Sequence, residues 1–378
     1  MILGVPKETA VGERRVSLVP DTVSKLPGLS VVVETGAGEP AGFPDSAYVE
    51  KGATIEGDAK TLFTRGDVIL KVAPLSPTEA DMVKEGGTVI SFLFPLANLE
   101  TIRRLAARRA TAFAMELIPR ISRAQPMDAL SSQSNLAGYK AVAIAAEMLP
   151  KIFPLLMTAA GTIPPARVFV IGAGVAGLQA IATARRLGAL VEGYDVRPVV
   201  KEQIESLGAK FAQMPVEAKD AQDAGGYAKA QTEDFNRKQQ TFLAERAAAS
   251  DVVITTALIP GQKAPILVSE AAVRGMRPGS VVVDLAAEQG GNCALTEPGK
   301  TVVKHGVTIV APLNLPSTMA PQASQMYSRN ISSFLSAILK DGAINIDLKD
   351  DLVRGPLVVS RGEVLHQATK NALAGATA

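Results

Sequence analysis

One cysteine, Cys293, and two histidines, His305 and His366, are all the thiol and imidazole that 378 residues contain. A single thiol excludes an internal disulfide framework and fits a reducing cytosol. With two distant imidazoles it makes no metal site either. Neither charge dominates: 39 Lys and Arg are interspersed with 37 Asp and Glu, without the basic stripe that nucleic-acid binding requires. The opening residues "MILGVPKETA" lack the basic and apolar regions of a secretory leader. Apolar runs such as "VVITTALIP" and "FPLLMTAAG" stop short of the roughly 20 residues a membrane span needs. The chain reads as soluble and cytoplasmic, with any membrane link made through a partner.

What is present is an ordinary globular composition, 47% hydrophobic and 20% charged, in a chain long enough for about two domains. Short β-branched runs alternate with helical patterns throughout, the signature of βαβ units and parallel sheets. Strands are expected at 2–5, 31–34, 68–71, 88–91 and 111–114, with a helix at 99–109 among those between them. A second series follows at 168–171, 190–195, 210–213, 252–256, 280–284 and 308–310, enough for a doubly wound sheet of order 3-2-1-4-5-6. Helical stretches at 132–149 and 323–339 flank that series. The expected fold class is therefore α/β: two doubly wound, parallel-sheet Rossmann-like domains with a cleft between them. The C-terminal segment returns to the first domain, so the boundaries are 1–131 plus 323–378 and 132–322.

The most informative stretch is "VFVIGAGVAGLQAIATARRLGALVEGYDVRP". Gly172, Gly174 and Gly177 form GxGxxG between a strand and a helix. The first glycine permits the turn, the second lets backbone approach a pyrophosphate, and the third lets helix and strand pack closely. The helix N-terminus then offers free N–H groups to the phosphates. Asp195 closes the next strand, where its carboxylate can accept from ribose hydroxyls, worth ~1.5–3 kcal/mol. A 2′-phosphate at ~4 Å would meet a like charge costing on the order of 4 kcal/mol, so NAD(H) is expected over NADP(H) by several orders of magnitude. Arg197 reads as stacking near the adenine or as solvated surface.

A dehydrogenase acting on an alcohol or amine needs a general base. His305, in "VVKHGVTIV", and His366, near the C-terminus, read as structural or exposed, because neither follows a strand's carboxyl end at the crevice. Arg15 and Lys71 could hold a carboxylate substrate, or be solvated or salt-bridged. Glu288, in "VVVDLAAEQGGNC", is either a group near the nicotinamide or a loop carboxylate satisfied by the N–H groups of Gly290 and Gly291. A strong dinucleotide site beside a weak substrate site asks for a reaction with little acid–base help.

"PRISRAQPMDALSSQSNLAGY", "MTAAGTIPPARVFVIGAGVAGLQAIATARRLGA", "GGYAK", "TTALIPGQKAPILVSE" and "VVVDLAAEQGGNC" together resemble the NAD(H)-binding domain I of proton-translocating NAD(P) transhydrogenase, over residues 1–327. "PKETAVGERRVSLVP" also resembles alanine dehydrogenase, which shares the fold. The alanine enzyme's pyruvate-gripping residues match Arg15 and Lys71, and its active-site aspartate falls at Glu288. Its catalytic histidine falls in "SFLFPLAN", where this chain has Phe94. That departure removes the proton handler an amino-acid dehydrogenase needs. The transhydrogenase resemblance implies direct hydride transfer between NAD(H) held here and NADP(H) held by a partner component, with no base required. It also implies a membrane-spanning proton-channel component, peripheral attachment to the inner membrane through these partners, and a homodimer. The alternatives are an alanine dehydrogenase-like enzyme and a catalytically silent NAD(H)-binding regulatory module.

The resemblance implies that Arg120, Gln125, Asp128 and Ser131 line the nicotinamide end and serve catalysis. Pro119 and Pro126 would break the helix there and stiffen a loop from which these side chains project. The competing reading is a polar connector whose side chains cap the helix starting near Ser132. Val175, Ala176, Val196, Arg197, Ala257 and Leu258 join the glycines and Asp195 as cofactor-binding residues by resemblance. Gly226 and Tyr227 would hinge an aromatic cover over the adenosine side, or belong to an incidental surface loop.

Overall fold

Strands buried on both faces read as continuous apolar runs rather than as alternations. Val281–Asp284 is such a strand: Val281 and Val283 enter one core cluster and Val282 another, all fully buried. The computed structural model describes residues 1–26, 28–215, 232–258 and 263–375. The chain divides into two units, Met1–Gln133 with Pro316–Ala378, and Ser134–Leu315.

The first unit holds an eight-stranded sheet. From edge to edge it runs Glu363–Val364, Leu357–Ser360, Thr111–Ala114, Thr88–Ser91, Val68–Leu70, Ile2–Val5, Ser30–Glu34 and Thr54–Glu56. All neighbours are parallel except the two C-terminal strands, which add antiparallel to Thr111–Ala114. The helix Ala320–Ile338 buries Ala320, Ala323, Tyr327, Ile331, Phe334 and Ile338 along one face, the stripe a core-facing helix requires. Two serines share that face because they satisfy buried backbone: the Ser324 hydroxyl accepts from Val16 N at 3.0 Å and Ser328 from Val19 N at 3.1 Å.

The second unit holds a seven-stranded sheet: Lys210–Phe211, Leu190–Tyr194, Arg167–Ile171, Val252–Thr255, Val281–Asp284, Val307–Val310 and Thr301–Lys304. The first six have the expected order and are parallel. The seventh, not expected from the sequence, pairs antiparallel through a two-residue turn in which His305 (φ 54°) and Gly306 (φ 80°) are both left-handed. Such turns match the twist of the flanking strands. Among the described residues no helix is long and apolar enough to cross a membrane.

Candidate functional site

Each glycine of the 172–177 turn is required for a different reason. Gly172 sits at φ 98°, and a Cβ there would lie 2.6 Å from the Thr256 hydroxyl and 3.2 Å from Ala257 N. A Cβ on Gly177 would lie 1.8 Å from the carbonyl oxygen of Gly172, so only glycine lets helix and strand approach. A Cβ on Gly174 would meet nothing within 4 Å, and as N-cap of the helix Val175–Arg186 it makes no side-chain cap bond. The first turn, with Val175 and Ala176, therefore presents bare backbone to open space, which suits an anion at a helix N-terminus.

Asp195 follows the strand Leu190–Tyr194 and is fastened to this turn. Its Oδ2 accepts from Ala173 N at 2.8 Å, and Val196, the next residue, is half-buried. Arg197 is not a solvated surface group. Its backbone N and Nε donate to Oδ1 at 2.9 Å each, and Nη2 donates to Oδ2 at 2.8 Å. An acid that would otherwise be poorly hydrated in a burying turn takes a bidentate cation as its partner.

Beyond the strand Val252–Thr255, the Ala257 backbone is bonded in both directions by Asn292, and Leu258 is partly exposed. Gly226 and Tyr227 lie outside the described residues. Gly138 is a close-approach residue that sequence reasoning missed: a Cβ there would lie 2.1 Å from the carbonyl oxygen of Ala176. The helix Ala129–Met148 can thus pass close to the first turn of the nucleotide helix only with glycine at that point.

In the first unit, residues 122–127 form a 3-10 helix, Ser122–Met127, rather than an irregular loop, and Pro126 is accommodated inside it. Its exposed face carries Gln125, and Arg120 is also exposed. The following helix starts at Ala129 rather than near Ser132, because Asp128 caps it. The carboxylate accepts Ser131 N at 2.9 Å and the Ser131 hydroxyl at 2.6 Å. Asp128 and Ser131 are therefore brought together as the competing reading describes.

Lys71 and Arg15 are salt-bridged. Lys71 is fully buried, with Nζ 2.7 Å from Glu79 and 3.5 Å from Glu8, and Tyr327 donates to its carbonyl at 2.8 Å. Burial raises the Glu8 carboxyl to about 7, against the lowering influence of Lys71. Arg15 grips Glu13 through Nε (2.8 Å) and Nη2 (2.6 Å) and donates from Nη1 to Gln133 Oε1 at 3.0 Å. Phe94 is left-handed at φ 42°, exposed, and stacked on Phe92 at 5.7 Å. Its N–H and that of Leu93 donate to the buried Glu116 carboxylate at 2.5 and 3.1 Å, and burial raises Glu116 to about 7.

Glu288 does not collect the glycine amides: Gly290 N and Gly291 N donate to Ala287 O and Ala286 O, while the exposed Glu288 accepts Asn314 N at 2.5 Å. The two imidazoles are taken by structural contacts, His305 Nε2 with Glu270 at 3.1 Å and His366 Nδ1 with the Thr369 hydroxyl at 2.7 Å. The described residues contain no cluster of His, Cys, Asp and Glu able to hold a metal. The Cys293 thiol is buried and pushed up to about 11, so it is not a nucleophile.

Comparison with known proteins gives two family models end to end. The alanine dehydrogenase/PNT N-terminal domain matches residues 4–137 and its C-terminal domain matches residues 141–367. The chain is 49% identical to an NAD(P) transhydrogenase subunit alpha chain of Rhodospirillum rubrum, over 97% of this chain and 98% of that one. A solved transhydrogenase from Sinorhizobium meliloti superposes with a TM-score of 0.86 and 45% identity, over 96% of this chain and all (100%) of that one. An L-alanine dehydrogenase structure follows, with a TM-score of 0.81 and 27% identity, over 99% of each chain.

Proposed function

The chain belongs to the alanine dehydrogenase/PNT family of oxidoreductases, and from that premise we propose that it is the NAD(H)-binding component of a proton-translocating transhydrogenase. Hydride passes directly between NAD(H) bound here and NADP(H) bound by a partner component, and a membrane component couples the exchange to proton movement. The residues fit a dinucleotide: a Cβ on Gly172 or Gly177 would collide with backbone, while the space outside Gly174 is open. Gly172, Gly174 and Gly177, with the N-terminus of helix Val175–Arg186, hold the pyrophosphate. Asp195 receives the adenosine ribose hydroxyls and repels a 2′-phosphate. Arg120, Gln125, Asp128 and Ser131 serve the nicotinamide end, with Asp128 and Ser131 also fixing the helix that follows.

The dihydronicotinamide supplies the hydride, and no proton leaves the reacting carbon. What this chain contributes is positioning and exclusion of water. One observation carries the reading. Where alanine dehydrogenase places its catalytic histidine, the chain presents the phenyl ring of Phe94, and both of its imidazoles bond elsewhere. In the test, the purified chain and an NADP(H)-binding transhydrogenase component are mixed with NADH and an oxidised NADP analogue. Hydride exchange is expected there, with no NADH consumption when pyruvate and ammonium replace the partner. Consumption with pyruvate and ammonium would overturn the proposal in favour of alanine chemistry. Tight NADH binding without exchange would make the chain a silent module.

The homodimer belongs to the same proposal. The hairpin formed by Leu156–Thr158 and Gly161–Ile163 is exposed on every strand residue and carries Leu155, Leu156, Met157 and Ile163 into solvent. Clustered apolar side chains of this kind mark association surfaces. The cytoplasmic location, peripheral to the inner membrane, follows from the proposed partners.

A further inference from the structure

Asp284 ends its strand at the buried carboxyl edge of the second sheet, fully buried. Its carboxylate accepts five hydrogen bonds: from the Thr255 hydroxyl (2.9 Å), Ala286 N (3.0 Å), Asn292 N (2.8 Å), Cys293 N (3.0 Å) and the Thr296 hydroxyl (2.6 Å). A buried carboxylate is tolerable only with such saturation. The effect is to fold residues 285–296 back over the strand ends, and Gly291 permits it at φ 84°, since a Cβ there would lie 2.7 Å from Asp284 Oδ2.

The fold-back delivers Asn292 to the neighbouring strand end with no solvent exposure. Its Oδ1 accepts Ala257 N at 3.0 Å, and its Nδ2 donates to Ala257 O at 2.9 Å and to Pro265 O at 2.8 Å. Both amide donors are used, and the side chain pairs with Ala257 as a strand neighbour's backbone would. Its own carbonyl accepts Leu267 N (2.8 Å) and Val268 N (3.0 Å). One residue thus fastens both flanks of the segment that follows Val252–Thr255.

That segment forms a wall of the glycine cradle. The Thr256 hydroxyl donates to Gly172 O at 3.1 Å, and the Cβ excluded from Gly172 would strike Thr256 Oγ1 and Ala257 N. We propose that Asn292 is a positioning residue of the dinucleotide site: by holding the Ala257 backbone it sets the wall against Gly172 and the stance of Leu258. The inference rests on the dinucleotide reading of the 172–177 turn. Asn292 touches no cofactor and acts through Ala257.

Asparagine is specifically required. Aspartate keeps the acceptor for Ala257 N but turns a second acceptor toward two carbonyl oxygens, and only its protonated form restores one donor. NADH binding to the full-length chain by fluorescence titration, with circular dichroism as a check on folding, tests this. Asn292→Ala and the milder Asn292→Ser are expected to weaken NADH at least tenfold and to raise the KM for NADH in the reconstituted complex with little change in kcat. Asn292→Asp is expected to be as weak near pH 8 and to regain affinity relative to the parent chain as pH falls toward about 5. A parent chain that binds NADH while the folded variants bind within twofold of it, with a flat Asp-to-parent ratio, would overturn the inference alone. A parent chain that fails to bind NADH would overturn the dinucleotide reading and this inference with it.

Discussion

The side-chain amide of Asn330 donates to the carbonyl oxygen of Pro126 at 2.8 Å. Its oxygen accepts the Ser132 hydroxyl at 2.7 Å, so one buried residue of the helix Ala320–Ile338 braces the turn bearing Gln125 and the helix start beyond it. A second tie, the ion pair of Arg123 with Asp350, joins the same turn to the C-terminal segment.

Asn330→Ala leaves a carbonyl and a hydroxyl short of a partner, a loss of about 1–3 kcal/mol. The thermal midpoint should fall by several degrees, and hydrogen exchange at residues 122–128 should quicken. Gln125→Ala touches none of these bonds and should leave the midpoint in place. It should slow hydride exchange in the reconstituted complex while NADH affinity stays near that of the parent, since position rather than binding is lost.

Asp195→Ala removes the acceptor for Ala173 N and the partner of Arg197. NADH binding should weaken ten- to a hundredfold, about 1.5–3 kcal/mol, and the preference over NADPH should narrow because Arg197 is released toward a 2′-phosphate. Paired titrations with the two coenzymes check it; an unchanged ratio contradicts the ribose assignment.

Gly138→Ala places a Cβ 2.1 Å from the carbonyl oxygen of Ala176, a backbone atom that cannot step aside without moving the nucleotide helix. Stability should drop by about 1–3 kcal/mol, and NADH affinity should fall with it. Calorimetry and a binding titration on the same sample separate the two effects.

Burial raises the Glu116 carboxyl in the folded chain from 4.5 to about 7. A carboxyl of this kind contributes stability that is complete below pH 4.5 and is lost as pH rises through 7. Glu116→Gln keeps an acceptor for Leu93 N and Phe94 N and cannot ionise. The difference in thermal midpoint between variant and parent should therefore grow in the variant's favour from pH 4.5 to 7 and then level off.

Met157→Asp puts a charge at the most exposed apolar position of the Leu156–Ile163 hairpin, where Met157 is 74% exposed. Light scattering behind a sizing column should show the dimer giving way to monomer, with little change in the far-ultraviolet dichroism.

The cradle was legible because its chemistry is local: three glycines, a strand before, a helix after and an acid on the next strand fall within about one βαβ unit. Asp284 and Asn292 were not, because their partners at Thr255, Ala257 and Pro265 lie 27 to 35 residues away and no periodicity links them. Glu288 drew notice instead as the nearer acid. Capping by Asp128 is one of two readings its sequence allows, and only the folded arrangement shows Ser131 turned toward it. The strands Thr54–Glu56 and Thr301–Lys304 escaped for another reason: both are short, lie at sheet edges and keep polar side chains outward.

Lys71 Nζ is sealed between Glu79 and Glu8 with none of its surface open. An amine-reactive label applied briefly to the native chain will mark the surface lysines and pass over this one, and a tryptic digest will show its peptide unmodified. The lysine thereby records, in a mass spectrum, how often the first unit breathes open far enough for a small electrophile to enter.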